Sequence, residues 1–240
     1  AARIMPYHLS RMWMYKGADC IAAVFYGPCA LNCSVNGVNV HIREITEFPF
    51  EDVVRMEIGC EKSIEFKLLL RIPGWSNGYA LEINGEKHEK YEEEKGFLSI
   101  KRQWKDGDHI AINFKRDICI KKSVDNSAAI SYGPLLYSLD IPGTRKNTFE
   151  YPVAGFYDMD ILPDGKSEWH YTLQLDAKGE NHKYFKIVES RDEKNNYPWE
   201  KPPVRIHALV LNEASQQTEI QLVPMGCTTL RRTCFPYVTL

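Results

Sequence analysis

The stretch Leu70-Arg71-Ile72-Pro73-Gly74-Trp75 ends a strongly apolar segment of the sequence. Residues 64–72 contain the unbroken run Leu68-Leu69-Leu70, which predicts a strand covered on both faces, and Pro73-Gly74 ends it. From Cys20 onward, short β-branched and aromatic runs alternate with turn residues at intervals of roughly ten, as in sandwiches and barrels. The sequence therefore predicts an all-β chain.

The dipeptide Asn36-Gly37 lies between two such runs, residues 30–35 and 38–45, and favours a tight hairpin turn. A polar, basic stretch at residues 121–126 interrupts the apolar alternation and predicts a domain boundary. We therefore expect two tandem antiparallel β-sandwich domains of jelly-roll-like type, over residues 18–124 and 125–240. The charged, Pro-containing stretch 189–203 predicts an exposed loop in the second domain.

The first residues follow a different pattern from the rest. Met5, Leu9, Met12 and Trp13 recur at helical spacing, and Pro6 suits a first helical turn. Residues 1–17 are therefore predicted to hold one short N-terminal helix, whose apolar face is suited to packing against another part of a protein.

Composition excludes several classes of partner. The 240 residues carry a formal net charge of −2, so no overall positive field favours nucleic acid. No apolar run approaches the roughly 18 residues of a spanning helix, which argues against a membrane partner. The seven cysteines are an odd number without a Cys-x-x-Cys pair, which argues against a full disulfide framework.

Candidate reactive groups are sparse. Glu51 and Asp52 are adjacent and would face opposite ways in a strand, no Gly-x-Ser-x-Gly elbow occurs, and the seven histidines show no helical zinc motif. Two acidic pairs could offer oxygen ligands to calcium, although turn stabilisation is favoured: Asp106 with Asp108, and Asp158 with Asp160 in a predicted loop. Cys29 and Cys33 would share a strand face near His41. They could form a metal site with it, but burial as small core residues is the favoured interpretation. We assign no catalytic and no metal-binding residue.

Sugar binding is the remaining function that we consider. Aromatic rings can stack on the C–H faces of sugars. Trp75 follows the Pro-Gly break, Trp104 precedes an Asp-Gly turn, and Trp199 lies in a Pro-rich polar stretch. A tryptophan beside a turn can instead close the end of a sandwich. Trp199 and Trp75 are the predicted substrate-binding residues.

Several motifs in order resemble the C-terminal β-sandwich region of glycoside hydrolase family 127, the β-L-arabinofuranosidase-like proteins. They are Tyr26-Gly27-Pro28-Cys29, Thr46-Glu47-Phe48-Pro49-Phe50, Leu70 to Trp75, Ile83-Asn84-Gly85, Trp104 to Asp108, Ser131-Tyr132-Gly133-Pro134-Leu135-Leu136-Tyr137, and Leu222 to Arg231. The resemblance implies two β-sandwiches that normally follow a catalytic (α/α)6 barrel. It also implies that residues 1–17 are a residual helix of that barrel.

The resemblance further implies that the nucleophile of the family is a zinc-bound cysteine in the barrel. A glutamate lies beside it, and the sequence signature includes two adjacent cysteines. No two cysteines are adjacent here. We therefore expect no cofactor in this chain and expect zinc in the barrel. The leading hypothesis is a non-catalytic part of such a glycosidase that frames or stabilises the barrel. The alternative is a free-standing carbohydrate-binding module for plant cell-wall glycans. A hydrolase with its own paired carboxylates would need a deep cleft that the sequence does not indicate.

Overall fold

The computed structural model describes residues 4–190 and 197–240. The chain divides into two compact units, Ala1–Asp117 and Ile118–Leu240. The sequence-based limit, between residues 124 and 125, stays a prediction about domains. Residues 191–196 of the loop predicted over 189–203 lie outside the described residues.

The first unit begins with helix α1 (Ile4–Leu9) and continues as strands. In chain order these are β1 (Trp13–Tyr15), β2 (Cys20–Ala23), β3 (Cys29–Val35), β4 (Val38–Ile45), β5 (Val53–Cys60), β6 (Ile64–Arg71), β7 (Tyr79–Ile83), β8 (Glu86–Lys87), β9 (Glu92–Glu94), β10 (Phe97–Trp104) and β11 (Asp108–Phe114). They form a five-stranded sheet of order β1-β2-β6-β10-β9 and a six-stranded sheet of order β3-β4-β5-β11-β7-β8.

Alternating side chains build the core of this unit. In β4, Val38, Val40 and Ile42 are buried while the residues between them are exposed. One buried cluster combines Ile42 with Phe66 and Leu98, so side chains of both sheets share it. Two sheets over a common core are a β-sandwich, as the sequence predicts for this region.

The Leu68–Leu70 run lies on β6, inside the five-stranded sheet. Leu68 and Leu70 are fully buried in the main core, whereas Leu69 is buried on the other face with Cys20 and Ala22. The predicted coverage on both faces is confirmed. The Asn36-Gly37 hairpin is also confirmed, because both residues have positive φ, 46° and 77°, as this primed turn requires.

The N-terminal helix is shorter than its spacing predicts. Helix α1 ends at Leu9, and none of its residues is buried. Trp13 instead starts strand β1, where it pairs with Ala23, and Met12 and Trp13 belong to the sandwich core. Ladder hydrogen bonds and burial of these two side chains outweigh the helical spacing. No helix within the described residues has the length and apolarity to cross a membrane.

The second unit is also built of strands. They are β12 (Ile118–Lys122), β13 (Ser127–Tyr132), β14 (Leu135–Ile141), β15 (Gly143–Glu150), β16 (Tyr157–Pro163), β17 (Thr172–Leu175), β18 (Phe185–Glu189), β19 (Val204–Leu211), β20 (Gln217–Pro224), β21 (Leu230–Arg232) and β22 (Cys234–Thr239). Short 3-10 helices occur at Asn181–Lys183 and Met225–Cys227.

One nine-stranded sheet of this unit closes on itself. Its pairings run β13–β22–β17–β19–β20–β14 and return to β13. In β19, Val204, Ile206, Ala208 and Val210 are buried in alternation, so one face of the strand points inward. A single closed sheet thus surrounds the buried side chains of this unit. The predicted all-β class is confirmed. Among the strands that the structure describes, two pairings are parallel, β2–β6 and β17–β22, and the others are antiparallel.

Strands β15 and β16 form a separate two-stranded sheet. The predicted loop position of Asp158 and Asp160 is wrong, because both lie in β16. The side chains of this hairpin are largely exposed, including Phe149 and Tyr157. Pairing of residues 143–150 with residues 157–163 keeps both strands extended, although most of their side chains are not buried.

Candidate functional site

Trp75 lies in the turn after β6 and is half-buried. Its ring packs edge-on against Phe114, with centroids 5.7 Å apart, and lies 6.4 Å from Phe48. The side chain therefore covers part of the sandwich core. Its predicted contact with substrate stays a prediction.

Trp199 lies in a turn of the second unit and is also half-buried. A Cβ added to Gly226 would be 2.6 Å from the Trp199 ring, which requires glycine at that position. The adjacent Pro198 carbonyl accepts a 3.9 Å contact from the Cys227 thiol. The ring thus rests on the Met225–Cys227 segment, and its sugar contact likewise stays a prediction.

Trp104 is fully buried, and its indole N–H donates to the Phe66 carbonyl at 3.1 Å. The turn that follows is organised by Asp108, which accepts from the Lys105 amide at 2.9 Å and from the Asn84 side chain at 2.8 Å. Gly107 has a φ of 83°, as the predicted turn requires. Asp108 therefore stabilises a turn between the two sheets.

The cysteines of β3 and His41 do not meet. Cys29 and Cys33 pack against the core, whereas His41 is exposed and hydrogen-bonds Asn32 at 2.6 Å. Alternation along β3 and β4 places these groups on opposite faces of the sheet. Across the described residues, no cluster of three or more His, Cys, Asp and Glu side chains could hold a metal ion.

The most perturbed carboxyl group of the first unit is that of Glu44. It is 2 % exposed on the core face of β4, accepts from the Gly27 amide at 2.7 Å and contacts the Cys29 thiol at 3.8 Å. Burial raises the pKa of Glu44 to about 7, against the lowering effect of these two donors. Cys29 in turn accepts from the Trp13 indole N–H at 3.3 Å. These groups link β1, β3 and β4.

Sequence reasoning missed Glu44, although a signal existed. The alternation that buries Val38, Val40 and Ile42 places Glu44 on the same face. A buried carboxyl with a raised pKa is the kind of group that acts as a general acid. Glu44, however, lines neither of the two surface cavities that follow.

The first cavity is a groove of about 850 Å³ on the six-stranded sheet. Several of its polar side chains are bonded to one another or to the backbone: Asn39 donates to Glu61 at 2.7 Å, and Asp106 accepts from the Cys60 amide at 3.2 Å. Together with the His41–Asn32 bond, these contacts engage most of the polar side chains that line the groove.

The second cavity lies in the second unit and measures about 370 Å³. Trp169 lines it and remains 42 % exposed, unlike the half-buried Trp75 and Trp199. Arg231 and Arg232 of β21 line it as well. Sequence reasoning missed this site because Trp169 and β21 are about sixty residues apart and only the folded sheet brings them together.

The architecture is that of an all-β protein whose first unit is a two-sheet sandwich. Residues 20–116 match the family model described as the middle domain of GH127 β-L-arabinofuranosidases. The predicted resemblance to the β-sandwich region of glycoside hydrolase family 127 is thereby confirmed. No curated protein matches the sequence significantly.

Solved structures agree with this fold. A GH127 β-L-arabinofuranosidase from Geobacillus stearothermophilus T6 matches 99 % of this chain with a TM-score of 0.72 and 18 % identity. A GH127 β-arabinofuranosidase matches 93 % with a TM-score of 0.65 and 19 % identity. A third structure, described as a glycoside hydrolase, matches 90 % with a TM-score of 0.53 and 19 % identity. This chain spans 36 % of the length of each.

Proposed function

We propose that the chain is the non-catalytic β-sandwich part of a β-L-arabinofuranosidase-like glycoside hydrolase, where it frames or stabilises a catalytic (α/α)6 barrel. The observation that carries the proposal is the share of each chain that the structural match covers. Nearly all of this chain, 99 %, superposes on 36 % of a GH127 enzyme, so the remainder of such an enzyme has no counterpart here.

The chemistry of the described residues supports this division of labour. A zinc-dependent centre needs several ligands in one place, and the described residues offer no such cluster. The side chains that the structure describes therefore do not fit zinc. Glycoside hydrolysis by two carboxylates needs both at an open cleft, whereas Glu44 is enclosed in the sandwich.

Helix α1 supplies a surface for the barrel. Ile4, Met5, Tyr7 and Leu9 are each more than half exposed, although they are large and apolar. The His8 ring lies 5.1 Å from that of Phe25. Exposed apolar groups of this size are typical of a surface that a partner covers.

The experiment has two parts. The purified 240-residue chain should hydrolyse no aryl β-L-arabinofuranoside, and co-expression with the polypeptide encoded directly upstream should give a copurifying, active complex. Turnover by the chain alone, or an upstream sequence without a barrel and its adjacent cysteines, would overturn the proposal.

Variants locate the contact. Met5→Ser with Leu9→Ser should reduce copurification by about tenfold or more, because two apolar contacts are lost. The melting temperature of the chain itself should stay unchanged, since neither residue is buried. Val124→Ser is the matched control, an exposed apolar residue elsewhere in the chain, and should copurify normally.

Carbohydrate binding is a second candidate function, which the exposed Trp169 cavity favours. As a free-standing module for plant cell-wall glycans, the chain would bind them without a barrel. Trp199→Ala and Trp75→Ala should then weaken binding in calorimetry if the predicted contacts hold. Absence of heat with arabinan and pectic fragments would count against this function.

A further inference from the structure

The cavity beside Trp169 has the size and lining of a small-ligand site. Its volume of about 370 Å³ falls within the range of about 300–1,000 Å³ typical of such sites. Ile141, Pro163 and Leu230 give it apolar walls, and Trp169 adds an accessible aromatic surface. Apolar walls with a few polar groups are the usual lining of ligand pockets.

Neighbouring side chains hold Trp169 in place. The Arg232 guanidinium lies 5.3 Å from the centre of its ring, and the His170 ring lies 3.6 Å from it. Arg232 is itself fixed, because its Nε donates to the Cys234 carbonyl at 3.1 Å. An aromatic wall that is held before binding loses little conformational entropy when a ligand arrives.

The cavity lining carries more positive than negative charge, because it holds Arg231 and Arg232 against the single carboxylate of Asp164. Within the part of the chain that the structure describes, neither Arg231 nor Arg232 has a carboxylate oxygen within 4.0 Å. Among the described residues, the Arg231 side chain donates one long 3.4 Å bond, to the Thr228 carbonyl. The exposed Arg231 therefore keeps most of its guanidinium group available to an anionic ligand, and Arg232 offers its two terminal nitrogens, since its Nε is engaged.

Asp164, the acidic residue of the lining, is already engaged. Its carboxylate accepts from the amides of Lys166 and Ser167, each at 3.0 Å, and from the Ser167 hydroxyl at 2.7 Å. These bonds lower the pKa of Asp164 and direct its oxygens toward its own turn. The carboxylate shapes the rim of the cavity rather than pairing with the arginines.

We propose that this cavity binds a carboxylated sugar, a uronate residue of an acidic glycan. The sugar ring would lie against Trp169 and Leu230, and its carboxylate would accept hydrogen bonds from Arg231 and Arg232. Guanidinium groups match the planar geometry of a carboxylate, and such charge-assisted bonds are the strong ones. This inference is independent of the proposed framing role, because binding here requires no barrel.

Calorimetry on the full chain at low ionic strength tests the proposal with trigalacturonate as the probe. The methyl ester of the same trisaccharide removes the charge and keeps the rings, and inorganic phosphate supplies charge without a sugar. The variants are Arg231→Gln and Trp169→Ala. Their matched controls are Arg43→Gln in the first unit and Phe156→Ala in the exposed hairpin.

Trigalacturonate should bind, and its methyl ester should bind about tenfold more weakly or not at all. Arg231→Gln and Trp169→Ala should each weaken binding by about tenfold, with both controls within about twofold of the unchanged chain. Added salt should weaken binding of trigalacturonate. Circular dichroism verifies that the variants fold.

Three results would overturn the proposal: no heat with trigalacturonate, equal binding of the methyl ester, or phosphate binding as tightly as trigalacturonate. The last would show a general anion site. None of these results bears on copurification with a barrel, so the two proposals fail separately.

Discussion

Glu44 and Asp108 are two buried carboxyl groups of one sandwich, 2 % and 6 % exposed, and burial affects their pKa values in the same direction. Burial raises the pKa of Glu44 to about 7, and the donors Gly27 and Cys29 do not compensate. Burial also favours the neutral form of Asp108, but its donors and nearby cations outweigh that effect and lower its pKa.

The two groups differ in their partners as well as in depth, because the Glu44 carboxyl lies deeper in the protein than that of Asp108. Asp108 has the Asn84 side chain, the Lys105 amide and the Arg102 guanidinium, whose nearest nitrogen is 3.7 Å away. Glu44 has one backbone amide and a weakly donating thiol. Buried charge is tolerated where enough donors surround it, and protonation replaces it elsewhere.

Replacing Asp108 should have the largest effect on this comparison. Asp108→Ala leaves the Lys105 amide and the Asn84 side chain without the buried carboxylate that accepts from them both, so the free energy of unfolding should fall by about 3 kcal/mol. Urea denaturation at pH 7 measures it. Glu65→Ala, which removes an exposed ion pair with Lys101, is the control and should change stability by less than about 1 kcal/mol. Equal losses in both variants would refute the structural role of Asp108.

Glu44 should show a smaller, pH-dependent effect. Its pKa is raised in the folded state from 4.5 to about 7, so its stabilising contribution is complete below pH 4.5 and is lost as the pH rises through 7. Glu44→Gln cannot ionise. The stability of this variant relative to the unchanged chain should therefore increase by about 2 kcal/mol between pH 5 and pH 8.

Denaturation of both proteins across that pH range gives the comparison. A stability difference that stays constant with pH would mean that Glu44 ionises in the fold as it does in the unfolded chain.

Cys29 should have the smallest effect. Cys29→Ala removes the thiol that lowers the pKa of Glu44 and leaves the Trp13 indole N–H without its acceptor, at a cost of about 1 kcal/mol. The pH at which stability declines should also move upward. Cys33→Ala is the matched control on the same strand and should leave that pH in place. An identical pH profile for all three proteins would exclude a role for Cys29 in the ionisation of Glu44.

Local patterns predicted much of the first unit. Asn36-Gly37 determines its own turn through positive φ, and the Leu68–Leu70 run predicts coverage on both faces, since both depend on neighbouring residues alone. Helical spacing gave the wrong prediction at Trp13, because its pairing with Ala23 on the neighbouring strand β2 determines the structure there. Local patterns cannot show such pairing.

The sites were less predictable than the fold. Alternation could have placed Glu44 inward, but its pKa depends on Gly27 and Cys29, which a different segment supplies. The Trp169 cavity needs β21 beside the turn after β16, a proximity that only tertiary structure creates. Residue type identified tryptophans as candidates, and exposure separated Trp169 from Trp75 and Trp199.

The closed strand circuit has a kinetic consequence. Strand β13 pairs Ala128 with Phe235 of β22, more than one hundred positions later, and β22 in turn bonds to β17. Loop closure of that length is slow, and the ring cannot form until residues 234–239 have left the ribosome. The second unit should therefore complete folding after the first. During synthesis, β13 and β17 remain without the hydrogen bonds of β22 until that strand has been made.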